Sequence, residues 1–242
     1  MRPLRRLDPG PACLNDYYWK NDAWGGNPIK PNHVDRQEIW AMLDTMQEGC
    51  CAFCEAKLKA DRHIDHFVAR SYRGSIRGKE LTFAWSNLFG SCARNDCCGH
   101  YKDNTKNPCS NYDPLQLIKP DEDDPWEFLV FAVDGYVSPR DGLSAPMHQR
   151  ALLTINVFNL NHARHVACRK GSVIYLINQA SQLLLLDELD DANAGSEANE
   201  IWKLYGAEVE KEIMFSFEMI FEYRSAAEQW LQQNLSKWRS SP

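Results

Sequence analysis

Apolar positions along this chain change period three times, and each change marks an element. Ile39, Met42, Leu43 and Met46 fall at i, i+3, i+4 and i+7, one stripe of a helix over 33–47. Asn32 precedes it as a cap and Gly49 ends it. His63-Ile64-Asp65-His66-Phe67 alternates as a short strand, with Ile64 and His66 on one face and His63 and Asp65 on the other. Phe128 to Val133 is a continuous apolar run that reads as a strand, and Asp134-Gly135 is a hairpin turn returning through Tyr136-Val137. From Ser144 the period is helical. One segment covers Ala145 to Phe158 and is interrupted at Asn159 and Asn161. A second runs from His162 to Leu186, with Val166, Val173, Ile177 and Leu184 on one face. Asp190 to Ser196 reads as a polar linker, and a last helical segment, Glu197 to Trp238, has a break near Gly206.

The intervening stretches lack periodicity. Residues 1–32 combine Pro, Gly, Asn and Asp with Tyr17, Tyr18, Trp19 and Trp24. They predict an irregular arm whose aromatics pack on the core or a partner, with stacking on nucleic-acid bases as the alternative. Pro114, Pro120 and Pro125 punctuate a loop, and the acidic run Asp121-Glu122-Asp123-Asp124 inside it reads as solvated rather than as a metal site. The chain thus divides into an arm and helix (1–49), a core (50–110), a loop and hairpin (111–143) and a helical region (144–242), an α+β chain overall.

Composition narrows the class. At 242 residues, 44% hydrophobic and 25% charged, the chain is an ordinary globular one with no apolar run long enough for a membrane span. The basic start, Met1-Arg2-Pro3-Leu4-Arg5-Arg6, lacks the apolar segment of a signal peptide, so a cytoplasmic protein with reduced cysteines is expected. The net charge of −6 is uneven: residues 1–110 carry 16 Lys and Arg against 13 Asp and Glu, and residues 111–242 carry 11 against 20. A polyanion sits more easily on the first half.

The chemistry is concentrated in residues 50–104, which hold six of the nine cysteines and three of the seven histidines. Cys51-x2-Cys54 has zinc-knuckle spacing, and Cys92, Cys97 and Cys98 form a second group. Four thiolates predict a closed structural Zn²⁺ site, for which Cys51, Cys54, Cys92 and Cys98 are preferred over the rivals Cys50 and Cys97. Between the groups, Asp65 can hold a divalent ion while His66, neutral near pH 7, takes a proton from water. The remaining Cys168, His148, His162 and His165 are scattered and read as structural.

This order of Cys-x2-Cys, Asp65-His66, Asn87-Leu88, Cys92 and Cys98-Gly99-His100-Tyr101-Lys102 resembles the HNH, or ββα-metal, nuclease family in its zinc-bearing form. The resemblance implies a hairpin with Asp65-His66 on its first strand and Asn87 near its second, then a helix with the last metal ligand. It implies His66 as general base, Asp65 as ligand of a catalytic Mg²⁺ or Mn²⁺, Asn87 as an orienting residue and Lys102 near the phosphate backbone. The family has a ligand directly after its last cysteine where this chain has Gly99. His100 is the expected replacement, with Asn95 and Asn104 behind it. The phrases Ile64-Asp65-His66-Phe67, Trp85-Ser86-Asn87-Leu88-Phe89, Ser91-Cys92 and Cys98-Gly99-His100-Tyr101-Lys102-Asp103 are similar to the HNH subunit of Septu-type anti-phage systems, retron-encoded versions included (the PtuB-like proteins). That narrower resemblance implies a nucleic-acid substrate, DNA or structured RNA. It also implies an ABC- or SMC-like ATPase partner and, in retron versions, a reverse transcriptase with its RNA–DNA hybrid. The apolar-faced helices after 144 either dock in a partner's groove or bury one another. The competing expectation is a zinc-stabilised binding or scaffold subunit without catalysis.

Overall fold

A computed structural model of the chain describes residues 1–60, 62–71, 76–183, 207, 210–218, 220 and 222–240. Two compact units divide it: residues 1–129 with 139–162, and residues 130–138 with 163–242. The architecture is α+β, with two small antiparallel hairpins among mostly short helices.

In the first unit, helix α1 (His33–Gln47) begins at a reciprocal cap. The Asn32 side chain accepts from the Val34 and Asp35 N–H groups, and the Asp35 carboxylate accepts from the Asn32 N–H. Its buried face is Ile39, Leu43, Met46 and Gln47, with Met42 half-buried at the edge of the expected stripe. Glu48 and Gly49 turn left-handed at φ 53° and 68° and release the chain. Strand β1 (His63–His66) pairs antiparallel with β2 (Leu88–Ser91), with Asp65 opposite Phe89 and His66 opposite Leu88. The connection between them contains helix α2 (Ile76–Glu80) and a 3₁₀ turn at Trp85–Asn87. Helix α3 (Cys98–Lys102) follows and packs on β1. Phe53, Phe67, Phe89 and Phe158 make the aromatic centre of this unit, Phe53 stacking on Phe158 at 4.2 Å.

The arm is irregular, as its composition predicts, with one 3₁₀ turn at Ala12–Asp16. Tyr17 stacks on Phe83 at 5.1 Å and Trp24 packs against both Phe83 and His66, so these aromatics are occupied by the protein's own interior. Glu122 and Asp124 of the acidic run are exposed, as a solvated loop predicts, but Asp121 and Asp123 are not free in it. Asp121 is ion-paired with Arg6 at 2.5 Å, Asp123 with Arg150 at 2.8 Å, and Asp124 caps helix α4 (Pro125–Phe128). Charge runs look solvated in sequence because their partners, 115 and 27 residues away, are invisible there.

The strand after Pro125 is shorter than its apolar run. Residues up to Phe128 form α4, leaving β3 (Leu129–Phe131) to pair with β4 (Val137–Pro139). Helix α5 (Ala145–Val157) packs on α3 and α4 within the first unit. Asn159, left-handed at φ 47°, makes the break.

In the second unit, helix α6 (Ala163–Leu183) packs on helix α7 (Arg224–Ser240). Its buried positions among the described side chains are His165, Arg169, Val173, Leu176, Ala180 and Ser181. The buried face is therefore rotated from the expected one: Val173 is shared, while Val166 and Ile177 are half-buried. Two polar residues anchor it. Arg169 Nε donates to the Gly135 carbonyl at 2.6 Å, and the His165 ring is 3.0 Å from the Tyr223 hydroxyl. Leu184 to Leu186, the Asp190 to Ser196 linker, Gly206 and part of the last segment lie outside the described residues. Among the described residues, no helix is long and apolar enough to cross a membrane.

Candidate functional site

Two pieces of loop and the start of α3 gather four sulfurs. Cys51 and Cys54 sit in a tight turn, in which the Cys51 N–H donates to Ala56 O at 2.8 Å and the Glu55 N–H to Cys51 O at 3.0 Å. Cys92 lies just past β2, and Cys98 opens α3 with a left-handed φ of 58°. The sulfurs of Cys51, Cys54, Cys92 and Cys98 all lie within 4.8 Å of one another. Thiolates on a zinc ion at about 2.3 Å are about 3.8 Å apart, so this donor set fits one tetrahedral ion. Of the rivals, Cys50 bridges back to Lys57 and Cys97 caps α3; neither joins the four. Hydrogen bonds from Cys51 and Cys54 hold the Cys92 thiol down to about 4, while burial pushes Cys54 and Cys98 up. A divalent ion would displace the protons that remain.

Two residues outside the expected set fasten this centre to the hairpin. Gln47 is buried; its amide donates to Cys50 O at 2.7 Å and Gly90 O at 2.9 Å and accepts from the Gly90 N–H at 2.8 Å. Ser91 Oγ accepts from the Gly99 N–H at 3.2 Å and lies 3.9 Å from Cys51 Sγ. The alternation pattern carries no signal for either, since both are polar residues at interior positions.

Beside the centre is a cleft of about 700 Å³, floored by His63, Asp65, His66 and His100 and walled by Trp24 and Arg70. Asp65 is buried against α3. A Cβ on Gly99 would lie 2.6 Å from Asp65 Cγ and closer still to Oδ1, so the carboxylate occupies the space that any other side chain would need. Burial is the largest single influence and opposes the Asp65 charge, but the Lys102 ammonium, 3.6 Å from Oδ1, together with His63 and His66 holds the carboxyl below the usual range. Oδ2 is buried with no hydrogen-bond partner. A buried acceptor of this kind suits a cation.

His66 is buried, with Trp24 edge-on at 4.6 Å and its Nε2 3.0 Å from the Thr82 carbonyl. A carbonyl only accepts, so Nε2 carries the proton and Nδ1 the lone pair. Burial, then the Arg70 charge, holds His66 down to about 4, leaving it neutral at neutral pH. Asn87 works on the loop that carries these groups. Its Oδ1 accepts from the Val68 N–H at 2.8 Å, and its Nδ2 donates to Val68 O at 3.1 Å and Leu81 O at 3.2 Å.

Lys102 stands elsewhere than a phosphate contact requires. Its side chain is wholly buried, donating to His66 O at 2.9 Å and Asp103 Oδ1 at 2.6 Å. Burial lowers its pKa, but the Asp65 and Asp103 charges raise it above the ordinary value. It is a counter-ion to Asp65. Asp65, His66 and His100 do share the cleft, yet the donor atoms of Asp65, His63 and His100 do not all come within 4.8 Å of one another. His63 was not among the expected site residues; its ring lies 3.8 Å from that of His100. Its histidine-x-acid spacing on one strand face is the signal that points to it.

No protein-family model and no curated protein matches the chain.

Proposed function

We propose that this chain is an HNH endonuclease that hydrolyses phosphodiester bonds in nucleic acid, on a zinc-knuckle ββα-metal core. The observation that carries the reading is His66. One nitrogen of a neutral, buried imidazole is tied to the Thr82 carbonyl, and the ring faces the cleft that holds Asp65 and His100. His66 Nδ1 takes a proton from the attacking water, with the tautomer held by Thr82 and the loop held by Asn87. Asp65 and His100 hold the catalytic cation, and Lys102 keeps Asp65 ionised and oriented. A Mg²⁺ or Mn²⁺ ion there supplies charge stabilisation for the crowded phosphorus and the leaving oxygen. Zn²⁺ on the four cysteines stiffens the scaffold. The resemblance to Septu- and retron-type subunits supports an ABC- or SMC-like ATPase as partner, with a reverse transcriptase and its RNA–DNA hybrid in the retron case.

The experiment incubates the zinc-loaded protein, alone and with its co-purified partners, with DNA and RNA under Mg²⁺ or Mn²⁺. His66→Ala should lose cleavage while keeping its fold and its zinc; cleavage equal to wild type overturns the reading. A non-catalytic zinc-stabilised scaffold subunit is the second reading, and the Lys102–Asp65 pairing favours it, because Lys102 competes with a cation for the carboxylate.

A further inference from the structure

We propose that His63 is a third protein ligand of the cation in the cleft, making the donor set two imidazoles and a carboxylate. Three features of the site converge on this. His63 shares a strand face with Asp65, and its Nε2 lies 3.7 Å from Asp65 Oδ1. That is too long for a hydrogen bond and slightly wider than the roughly 3.0–3.5 Å between two donors on one ion with bonds near 2.1 Å. The ring also lies against His100, centroids 3.8 Å apart and planes 32° apart, which brings a second nitrogen donor to the same place. Finally, the buried polar atoms without a hydrogen-bond partner include His63 Nδ1 as well as Asp65 Oδ2. Oδ1, the oxygen 3.7 Å from His63 Nε2, is also the one 3.6 Å from Lys102 Nζ, so the unpartnered Oδ2 is the oxygen left for the ion. His100 is exposed, so its ring can turn towards the ion that the other two donors would hold.

The donor chemistry selects the ion. Two imidazoles with one carboxylate favour a first-row transition ion over Mg²⁺, whose preference is for oxygen. The proposal rests on the reading of Asp65 as a cation ligand, and the test separates the two. The zinc-loaded full chain is titrated with Mn²⁺ and followed by electron paramagnetic resonance, with ¹⁴N modulation of the bound ion reporting coordinated imidazole. Wild type should show coordinated imidazole and should bind Mn²⁺ more tightly than Mg²⁺. His63→Ala should lose about half of the nitrogen modulation and weaken Mn²⁺ by about tenfold or more, given that outer-shell partners alone are worth that much. His63→Gln, which fills similar space, guards against a folding artefact, and retained zinc certifies both variants. If Asp65→Asn abolishes Mn²⁺ binding while His63→Ala leaves affinity and nitrogen modulation unchanged, the role of His63 is refuted and the Asp65 site stands. If wild type binds no Mn²⁺ in the cleft, both fall.

Discussion

Gly99→Ala is the sharpest perturbation this structure offers. The added methyl would lie 2.6 Å from Asp65 Cγ and 3.0 Å from its Cβ, where unstrained carbon contacts need about 3.5–4.0 Å. Turning the carboxylate about its own bond relieves neither contact, because Cβ and Cγ both lie on that axis. Either α3 must withdraw from β1, or Asp65 must leave its rotamer and with it Lys102. Overpacking of this kind costs about 1–3 kcal/mol. The larger penalty of stranding a buried charge is limited, since Lys102 keeps Asp103 and the His66 carbonyl. The expected loss is about 2–3 kcal/mol, read from urea unfolding of the zinc-loaded protein, together with weaker Mn²⁺ binding. Gly171→Ala supplies the control. It lies in α6 with no heavy atom within 4 Å of the new Cβ, so the same substitution should be neutral or stabilise by up to about 1 kcal/mol. A change within about 0.5 kcal/mol at Gly99, with Mn²⁺ affinity intact, would refute the claim that the carboxylate fills this space.

Further expectations concern the thiolates, the base and the hairpin clamp. Cys98→Ser should lose zinc and much of the folded population, whereas Cys97→Ser should retain one zinc per chain by mass spectrometry; equal loss in both would reassign the ligand. His66, held down to about 4 from an ordinary value near 6.5, binds its proton more tightly in the unfolded chain. Its contribution of about 3 kcal/mol is therefore complete above pH 6.5 and disappears as pH falls towards 4. Wild type should thus lose more stability than His66→Gln over that window, and parallel pH curves would contradict this. Gln47→Ala leaves a Gly90 N–H and two carbonyls short of their partner, and should cost about 2–4 kcal/mol in thermal or urea unfolding.

The elements legible in the chain were those written in local patterns. The cap at Asn32, the bounds of α1, the first hairpin strand, the start of α5 and the cysteine pair at ligand spacing all depend on neighbours within a few residues. Preferring Cys51 over Cys50 rested on the two-residue spacing to Cys54, and the four gathered sulfurs are those of Cys51, Cys54, Cys92 and Cys98. Local pattern failed where polar groups are buried. The inner face of α6 is anchored by His165 and Arg169, which apolar periodicity does not count, and the acidic run is neutralised by arginines distant in sequence.

Residues 50–104 by themselves determined which side chains are available for metal and proton chemistry, because residue type sets donor chemistry whatever the fold. Only tertiary structure decided how they are used. Gly99, an anomaly in sequence, is the opening that Asp65 fills; Lys102, set near the phosphate backbone by the resemblance, is its buried counter-ion; His63, given no role in sequence, lines the cleft. The reason is physical. Burial and distance set the energy of a charge or a lone pair, and both are properties of the folded chain.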